Sequence, residues 1–214
     1  MALYAIKSTT MILIGYSGHS YVINGILHAL GLTVTGYCDK EEKKFNPLSL
    51  QYYYQETSET GIKALTEEDF FIAVGNNGVR KSIYNNLAIR NLLPVNVIHP
   101  SALIDYTVEV ASHGVMVAPN VTINAMAKVG IGAICNTYSV IEHECVISDF
   151  AHIAPGAVLC GNVFVGENSF VGAKSVVREN IRIGKNVIIG AGSVVVKDIP
   201  DNSKVAGNPA RMLK

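Results

Sequence analysis

The feature that most constrains the fold is a six-residue repeat in the C-terminal half of the chain. Branched aliphatic residues recur at every sixth position from Val117 to Val195, and Cys135 is the exception. Four residues after each of these anchor positions stands a second, often small residue. A hexapeptide period is typical of a parallel β-helix, in which each unit forms one face of a coil and stacked coils bury a shared core. Between Ile98 and Ile199 the repeat predicts about five to six coils of three hexads each.

Two irregularities accompany the repeat. Ile104 and Val110 follow the six-residue step, but the next anchor is Val117, so one residue is inserted around 112–114 and the first coil is expected to be irregular. Glycines also stand directly after several anchors, where we expect sharp corners that favour a residue without Cβ. These glycines are Gly130, Gly166, Gly172, Gly184 and Gly190.

The N-terminal part begins with the pattern of a βαβ unit. An apolar run, Met11 to Ile14, ends in a G-x-x-G turn, apolar residues then follow at helical spacing, and Thr33 to Cys38 alternates as a strand. Such a turn offers backbone N–H groups and the positive end of a helix dipole, and an acid after the second strand can bond a ribose hydroxyl. The turn lacks one glycine of the dinucleotide-binding pattern, so it also fits a tight turn without a ligand. The candidate nucleotide-site residues here are Gly15, Ser17, Gly18, His19, Asp39 and Lys40.

A second polar turn belongs to the same predicted sheet edge. Phe70 to Val74 reads as a buried strand, Gly75 and Asn76 open a turn that can face the first one, and 79–92 has helical spacing. Residues 43–63 are polar and tyrosine-rich and predict a loop with one short strand, while 95–98 predicts a last strand. We therefore expect a Rossmann-like nucleotide-binding domain at 11–98 and a β-helix domain at 99–214.

Composition excludes several classes of protein. Seventeen basic residues balance seventeen acidic ones, so no bulk field draws the chain to nucleic acid. The four cysteines lack C-x-x-C spacing and read as reduced, buried thiols with no metal role. The apolar start within Met1 to Thr10 is too short for a signal sequence, and no stretch reaches the length of a membrane span. These features favour a cytoplasmic protein.

Titratable residues interrupt the repeat at one place. His143 follows the anchor Ile141 by two residues and is flanked by Glu142 and Glu144, so we expect it on the coil surface. Histidine suits a general base because its ordinary pKa lies near neutral pH. On position alone, a solvated face that carries these charges is the favoured interpretation.

Several motifs together resemble one family over 11–211. They are the strand, G-x-x-G turn and helix, then N-T-Y-S-V-I-E-H-E-C from Asn136, A-H-I-A-P-G-A from Ala151, and V-A-G-N-P-A from Val205. The chain in this respect is similar to the bacterial sugar O- and N-acyltransferases, which include sialic acid O-acetyltransferases and N-acetyltransferases of nucleotide-linked amino sugars. The resemblance implies a left-handed β-helix, a homotrimer, active sites in the clefts between subunits, and acetyl-CoA as co-substrate.

The resemblance also implies roles for individual residues. His143 is the base and Glu144 orients it, while Asn136 contacts the acceptor sugar. For acetyl-CoA, the implied contacts are His152, the backbone N–H of Gly161 toward the thioester oxygen, and Ala173 and Ala191 along the pantetheine arm. Basic side chains of the last coils and tail either meet the coenzyme phosphates or serve solubility; they are Lys174, Lys185, Lys197, Lys204 and Arg211.

Four functions fit the sequence to different degrees. The favoured one is an acetyl-CoA-dependent N-acetyltransferase acting on a nucleotide-linked amino sugar, such as a UDP-4-amino sugar, for surface glycan synthesis. A sugar O-acetyltransferase shares the mechanism, and a trimeric nucleotide-binding subunit shares the scaffold without catalysis. Zinc chemistry requires His113, His143 and His152 to converge at a subunit cleft.

Overall fold

The structure is a computed structural model that describes residues 8–213. The chain divides into two compact units between Val97 and Ile98. The expectation that the chain opens without a signal sequence falls mainly on residues 1–7, which lie outside the described residues. No helix formed by residues 8–213 is long and apolar enough to cross a bilayer.

The first unit is built on a parallel sheet. Its strands are β1 (Thr10–Ile14), β2 (Thr33–Cys38), β3 (Gln51–Tyr52) and β4 (Asp69–Ile72), in the order β3-β2-β1-β4. Its helices are α1 (Gly18–Ala29), α2 (Glu59–Glu67) and α3 (Asn77–Ala88). The last four residues of β1 are buried, as expected for a parallel strand covered on both faces. The strand order brings the turns after β1 and β4 to the same sheet edge, which confirms the predicted βαβ arrangement and the facing turns.

Helix α2 was not predicted from the sequence. It begins inside the segment expected to be a loop, and its N-cap Ser58 accepts a hydrogen bond from the N–H of Gly61. Its buried residues are Gly61, Ala64 and Leu65 alone among its nine, so the apolar stripe is too narrow to stand out in the sequence. Strand β4 ends at Ile72, two residues earlier than predicted, and Asn76 caps helix α3 by accepting from the N–H of Val79.

The second unit is a parallel β-helix. Its strands in chain order are β5 (Val97–Ile98), β6 (Leu103–Ile104), β7 (Glu109–Val110), β8 (Met116–Val117), β9 (Thr122–Ile123), β10 (Lys128–Val129), β11 (Ile134–Cys135), β12 (Val140–Ile141), β13 (Val146–Ile147), β14 (His152–Ile153), β15 (Val158–Leu159), β16 (Phe164–Val165), β17 (Phe170–Val171), β18 (Val176–Val177), β19 (Arg182–Ile183), β20 (Ile188–Ile189), β21 (Val194–Val195), β22 (Lys204–Ala206) and β23 (Arg211–Met212).

These strands form three sheets, which are the three faces of the coil. The first face contains β5, β8, β11, β14, β17, β20, β22 and β23; the second contains β6, β9, β12, β15, β18 and β21; the third contains β7, β10, β13, β16 and β19. Strand β5 belongs to the first face, so the segment predicted as the last strand of the α/β domain is already part of the repeat. Only the final pair, β22 with β23, is antiparallel among the described strands.

The core of the β-helix is the predicted one. Every anchor residue from Val117 to Val195 is buried, and so is every residue four positions after an anchor. At two of the serines in the second position, the hydroxyl donates to a carbonyl of the next coil: Ser169 Oγ to Gly184 O at 2.7 Å, and Ser175 Oγ to Gly190 O at 2.9 Å. A buried hydroxyl without such a partner would be costly. The hexapeptide prediction is thus confirmed.

The corners differ from the prediction. Left-handed backbone conformations stand three residues after the anchors, mostly at asparagine and glycine, as at Asn186 with φ of 54° and Gly192 with φ of 68°. The glycines directly after the anchors are not left-handed. A Cβ at Gly172 would lie 2.5 Å from the carbonyl oxygen of Ile189, so these glycines allow adjacent coils to approach closely. The expectation that they form the corners was wrong.

Candidate functional site

His143 and Glu144 form a corner between the second and third faces. They lie in the turn between β12 and β13, and their side chains are 60% and 62% exposed, which confirms the predicted surface position of His143. His143 Nδ1 lies 3.0 Å from Glu144 Oε2. A carboxylate there accepts the Nδ1–H, which fixes the tautomer and leaves Nε2 with a free lone pair. This pair has the geometry of a general base and its orienting acid.

Residues at this corner stack from coil to coil. We call the stack of residues two positions after the anchors of the second face the base edge; it contains Ala125, His143, Gly161 and Glu179. The stacking is fixed by backbone hydrogen bonds such as Asn162 N to His143 O, at 2.8 Å. Gly161 therefore lies one coil beyond His143, a proximity to the base that the sequence analysis did not predict.

Asn136 and His152 contact each other on the first face. His152 is buried, and its Nε2 lies 3.1 Å from Asn136 Nδ2. Its imidazole packs edge-to-face with the ring of Phe170, and the two ring centroids are 5.0 Å apart. Asn136 Oδ1 accepts from the N–H of Thr137 at 2.8 Å, so the amide NH₂ faces the imidazole. Nε2 of His152 is then the acceptor, and Nδ1 carries the proton. The sequence analysis gave these two residues separate tasks and missed their mutual hydrogen bond.

Ala173 and Ala191 lie at another corner, between the first and second faces. We call the stack of residues two positions after the anchors of the first face the alanine edge; it contains Thr137, Pro155, Ala173 and Ala191. The stem of Lys174 lies over Gly156 next to this edge, since a Cβ on that glycine would come within 2.9 Å of Lys174 Cδ. Small side chains leave the alanine edge open to an extended ligand.

A single chain does not bring these groups together. The base edge joins the second and third faces, so it lies opposite the first face, which carries Asn136 and His152. A full face also separates the base edge from the alanine edge. Six residues of extended chain span at most about 20 Å. The predicted base therefore lies on a different side of the β-helix from the coenzyme contacts predicted at His152, Ala173 and Ala191.

The first unit has a cavity at the carboxyl ends of its strands. Its volume is about 710 Å³, and it is lined by most of the predicted nucleotide-site residues: Gly15, Ser17, Asp39, Lys40, Gly75 and Asn76. Lys43, Gln55 and Glu56 also line it and were not predicted. The carboxyl edge of a parallel sheet is where ligands of this fold class bind.

Asp39 holds this edge together in the structure. Its Oδ2 accepts from the N–H of Tyr16 at 3.0 Å, and its Oδ1 lies 3.2 Å from Lys43 Nζ. Tyr16 and Tyr37 stack with ring centroids 4.5 Å apart beside it. The acid after β2 thus already orders the glycine turn, in addition to the ribose contact that the sequence suggested.

Gly18 and His19 do not line the cavity. Gly18 begins α1, and the ring of His19 packs against Gly75, whose added Cβ would lie 3.7 Å from His19 Cγ. Burial, together with the charge of Arg80, lowers the pKa of His19 to about 4, so the imidazole is neutral at physiological pH. His19 therefore joins the two turns to each other.

The sequence analysis missed Arg80. This side chain is 1% exposed, and its Nη1 donates to the carbonyls of Val74 and Gly75 at 3.1 and 3.2 Å. Its Nη2 donates to Asn77 Oδ1 at 3.0 Å, and burial lowers the pKa of the guanidinium to about 9. The signal in the sequence was weak, because a lone arginine on a helix usually lies in solvent. Within residues 8–213, no group of three His, Cys, Asp or Glu side chains is placed to hold a metal ion.

Comparison with known proteins identifies the family. The PglD N-terminal domain family matches residues 10–87, and the bacterial transferase hexapeptide family (six repeats) matches 162–197. GDP-perosamine N-acetyltransferase of Escherichia coli O157:H7 is 31% identical over 150 residues, which are 68% of this chain and 67% of that protein. The structure of PerB from Caulobacter crescentus with CoA and GDP-perosamine has 32% identity and a TM-score of 0.88, covering 98% of this chain and 100% of the other. The acetyltransferase domain of PglB from Neisseria gonorrhoeae FA1090 with acetyl coenzyme A has 31% identity and a TM-score of 0.86, covering 96% and 100%. The chain belongs to the PglD-type family of nucleotide-sugar N-acetyltransferases with hexapeptide repeats.

Proposed function

We propose that this protein transfers an acetyl group from acetyl-CoA to the amino group of a nucleotide-linked amino sugar, with His143 as general base. The observation that carries the proposal is the exposed His143 with its Nδ1 held by Glu144, which leaves Nε2 as the nitrogen that accepts a proton. Variants of perosamine N-acetyltransferase with one histidine replaced have been solved with CoA and GDP-perosamine, which directs attention to a histidine in this family. The GDP-perosamine N-acetyltransferases among the matched relatives acetylate nitrogen, which favours N-acetylation over O-acetylation.

The reaction needs one proton acceptor and one oxyanion donor. The sugar nitrogen attacks the thioester carbonyl carbon, and His143 Nε2 accepts the proton that the nitrogen loses. The tetrahedral oxyanion receives a hydrogen bond, for which the N–H of Gly161 is our candidate. The C–S bond then breaks, and the imidazolium returns the proton to the CoA sulfur. No covalent acyl-enzyme is required.

We propose that a second copy of the chain completes the site, in a homotrimer. In that arrangement the base edge of one subunit faces the alanine edge, Asn136 and His152 of its neighbour, and acetyl-CoA lies between them. The outer side of the second face supports such contact, because its outward positions are apolar except for Thr122. Val176 and Leu103 at these positions are 37% and 69% exposed in the single chain, and Val140, Val158 and Val194 are half-buried. Exposed apolar patches of this kind mark interaction surfaces.

The cavity of the first unit is our proposed nucleotide site. Lys40 and Lys43 supply positive charge at its rim, and the turn at Gly15 precedes the N-terminus of α1, both of which favour a diphosphate. Both substrates are cytoplasmic metabolites, so the proposal places the enzyme in the cytoplasm, and its product suits surface glycan synthesis.

Steady-state kinetics with purified protein test the base. We expect His143→Ala to lower kcat by about 10²- to 10⁴-fold with GDP-perosamine or a UDP-4-amino sugar as acceptor. A variant that keeps near wild-type turnover with every accepted sugar would remove His143 from the mechanism.

Co-expression of two inactive variants tests the shared site. When His143→Ala and His152→Asn subunits assemble at random, about one quarter of the clefts pair an intact His143 with an intact His152 of a neighbour. Activity should return to about that fraction of wild-type. Mixed assemblies that stay as inactive as the separate variants would contradict a site built from two copies.

A further inference from the structure

We infer that Gly161 is a positioning residue, which reserves the space that the His143 imidazole occupies. The inference rests on the proposed role of His143 as base and concerns what holds its ring in place. A Cβ at position 161 would lie 2.5 Å from His143 Cε1 and 2.6 Å from Nε2. The ring therefore lies directly against the Cα of Gly161, with the reactive nitrogen on the contacting side.

The backbone itself does not require glycine at this position. The φ angle of Gly161 lies outside the left-handed region, so an L-residue meets no conformational strain there. The equivalent positions of neighbouring coils, Ala125, His143 and Glu179, all carry side chains. The absence of a Cβ at 161 is thus explained by the imidazole and not by the turn.

The contact also differs from those of the other repeat glycines. At Gly166 and Gly172, an added Cβ would meet backbone atoms of the next coil at 2.5 Å, so substitution there distorts the β-helix. At Gly161, the three nearest atoms all belong to the exposed ring of His143. An alanine at 161 is accommodated by movement of that ring, at little cost in stability.

The size of the movement follows from the distances. Ordinary van der Waals contact begins at 3.4 Å, so the ring must retreat by about 0.9 Å from its 2.5 Å position. A displacement of about 1 Å at a reacting group lowers rate by about 10²-fold. The retreat also strains the 3.0 Å contact between Nδ1 and Glu144.

Gly161→Ala is the direct test, because alanine keeps the backbone N–H. If Gly161 served solely as an oxyanion donor, alanine would leave kcat near wild-type. We expect instead that kcat falls by about 10²-fold, with KM for acetyl-CoA within about twofold and Tm within a few degrees of wild-type. Gly25→Ala, which adds the same methyl group in open space on α1, is the matched control and should keep wild-type kcat. A crystal structure of Gly161→Ala should show the displaced ring.

A double-mutant cycle separates positioning from a general structural effect. In a His143→Ala background the ring is absent, so Gly161→Ala should cause no further loss of kcat. Full activity of Gly161→Ala, or an equal loss in both backgrounds, would overturn the inference. If His143→Ala alone keeps wild-type activity, the proposed function fails instead, so the two failures are distinguishable.

Discussion

Glu144 is the residue proposed to orient the base His143, and its backbone has an unfavourable left-handed conformation. Its φ is +61°, in the left-handed region that glycine and asparagine occupy at most other corners of the coil. An ordinary L-residue in this region costs about 1 kcal/mol or more, whereas asparagine tolerates it because its short amide bonds locally. Replacement of Glu144 by Asn should therefore relieve strain at the corner and remove the carboxylate from His143.

The two effects on stability have different sizes. Relief of the left-handed strain contributes about 1 kcal/mol. The lost pair, His143 with Glu144, is more than half exposed, and surface pairs of this kind contribute about 0 to 1 kcal/mol. We expect Glu144→Asn to be as stable as wild-type or more stable by up to about 1 kcal/mol. Its kcat should fall by about 10- to 100-fold, because Glu144 is the residue that holds the Nδ1–H of His143 in the part of the chain that the structure describes.

The assay pairs thermal unfolding with steady-state kinetics. Met126→Asn is the matched control, since Met126 occupies the preceding corner of the same edge with φ of +62° and is 58% exposed. It should gain similar stability and keep wild-type kcat. The reasoning is refuted if Glu144→Asn loses stability while Met126→Asn gains it, or if Glu144→Asn retains full turnover.

Three further predictions concern other parts of the chain. The pKa of His19 is about 4 in the folded protein, against an ordinary value of 6.5. The neutral imidazole therefore contributes fully to the free energy of unfolding above pH 6.5, and this contribution is lost as the pH falls toward 4. Between pH 7.5 and 5, chemical denaturation should show a loss of up to about 2 kcal/mol that His19→Asn lacks; equal losses in both proteins would contradict the assignment. Asn186 bridges Asn168 and Asn202 by amide hydrogen bonds of 2.8 and 3.0 Å, and its backbone is left-handed. In thermal unfolding, Asn186→Gly should lower the free energy of unfolding by about 1 to 2 kcal/mol, and Asn186→Ala should lower it by about 1 kcal/mol more. Equal losses in the two variants would exclude a contribution from the backbone conformation. Cys160 is half-buried, whereas burial raises the pKa of the Cys38 and Cys135 thiols to about 12. Iodoacetamide should therefore modify Cys160 first, which peptide mass mapping will measure. Faster labelling of Cys38 or Cys135 would contradict their burial.

The sequence determined the β-helix more fully than the α/β unit. Every coil needs a buried aliphatic residue at the anchor positions, as at Val117 and Val195. Because this requirement recurs many times, the single exception at Cys135 does not obscure the six-residue period. Helix α2 is a single element without repeats, and its three buried residues are too few to show a helical period in the sequence. The corners were misassigned because close approach and left-handed backbone both select glycine, and the sequence alone does not separate the two reasons.

The site was predictable residue by residue but not as an arrangement. The identities of His143 and Glu144, and their contact, followed from the motif and from adjacency. The Asn136 to His152 hydrogen bond joins side chains 16 residues apart, and it depends on how one coil stacks on the next. The same stacking places Gly161 under His143. Hexapeptide spacing gives the face on which a residue lies, whereas side-chain rotation decides which neighbour it meets.

Backbone strain is concentrated in the coil that carries the base. Its three corners hold Tyr138, Glu144 and Phe150, with φ between 57° and 61°, where most other corners hold asparagine or glycine. Phe150 is explained by packing, because its ring covers Gly132 and is 4% exposed. Glu144 is explained by its contact with His143. Tyr138 is 63% exposed and lies next to the alanine edge, where a neighbouring subunit and acetyl-CoA are proposed to meet. Strained residues persist where surrounding structure or function requires them, so an exposed tyrosine in this conformation is consistent with a role in the shared cleft.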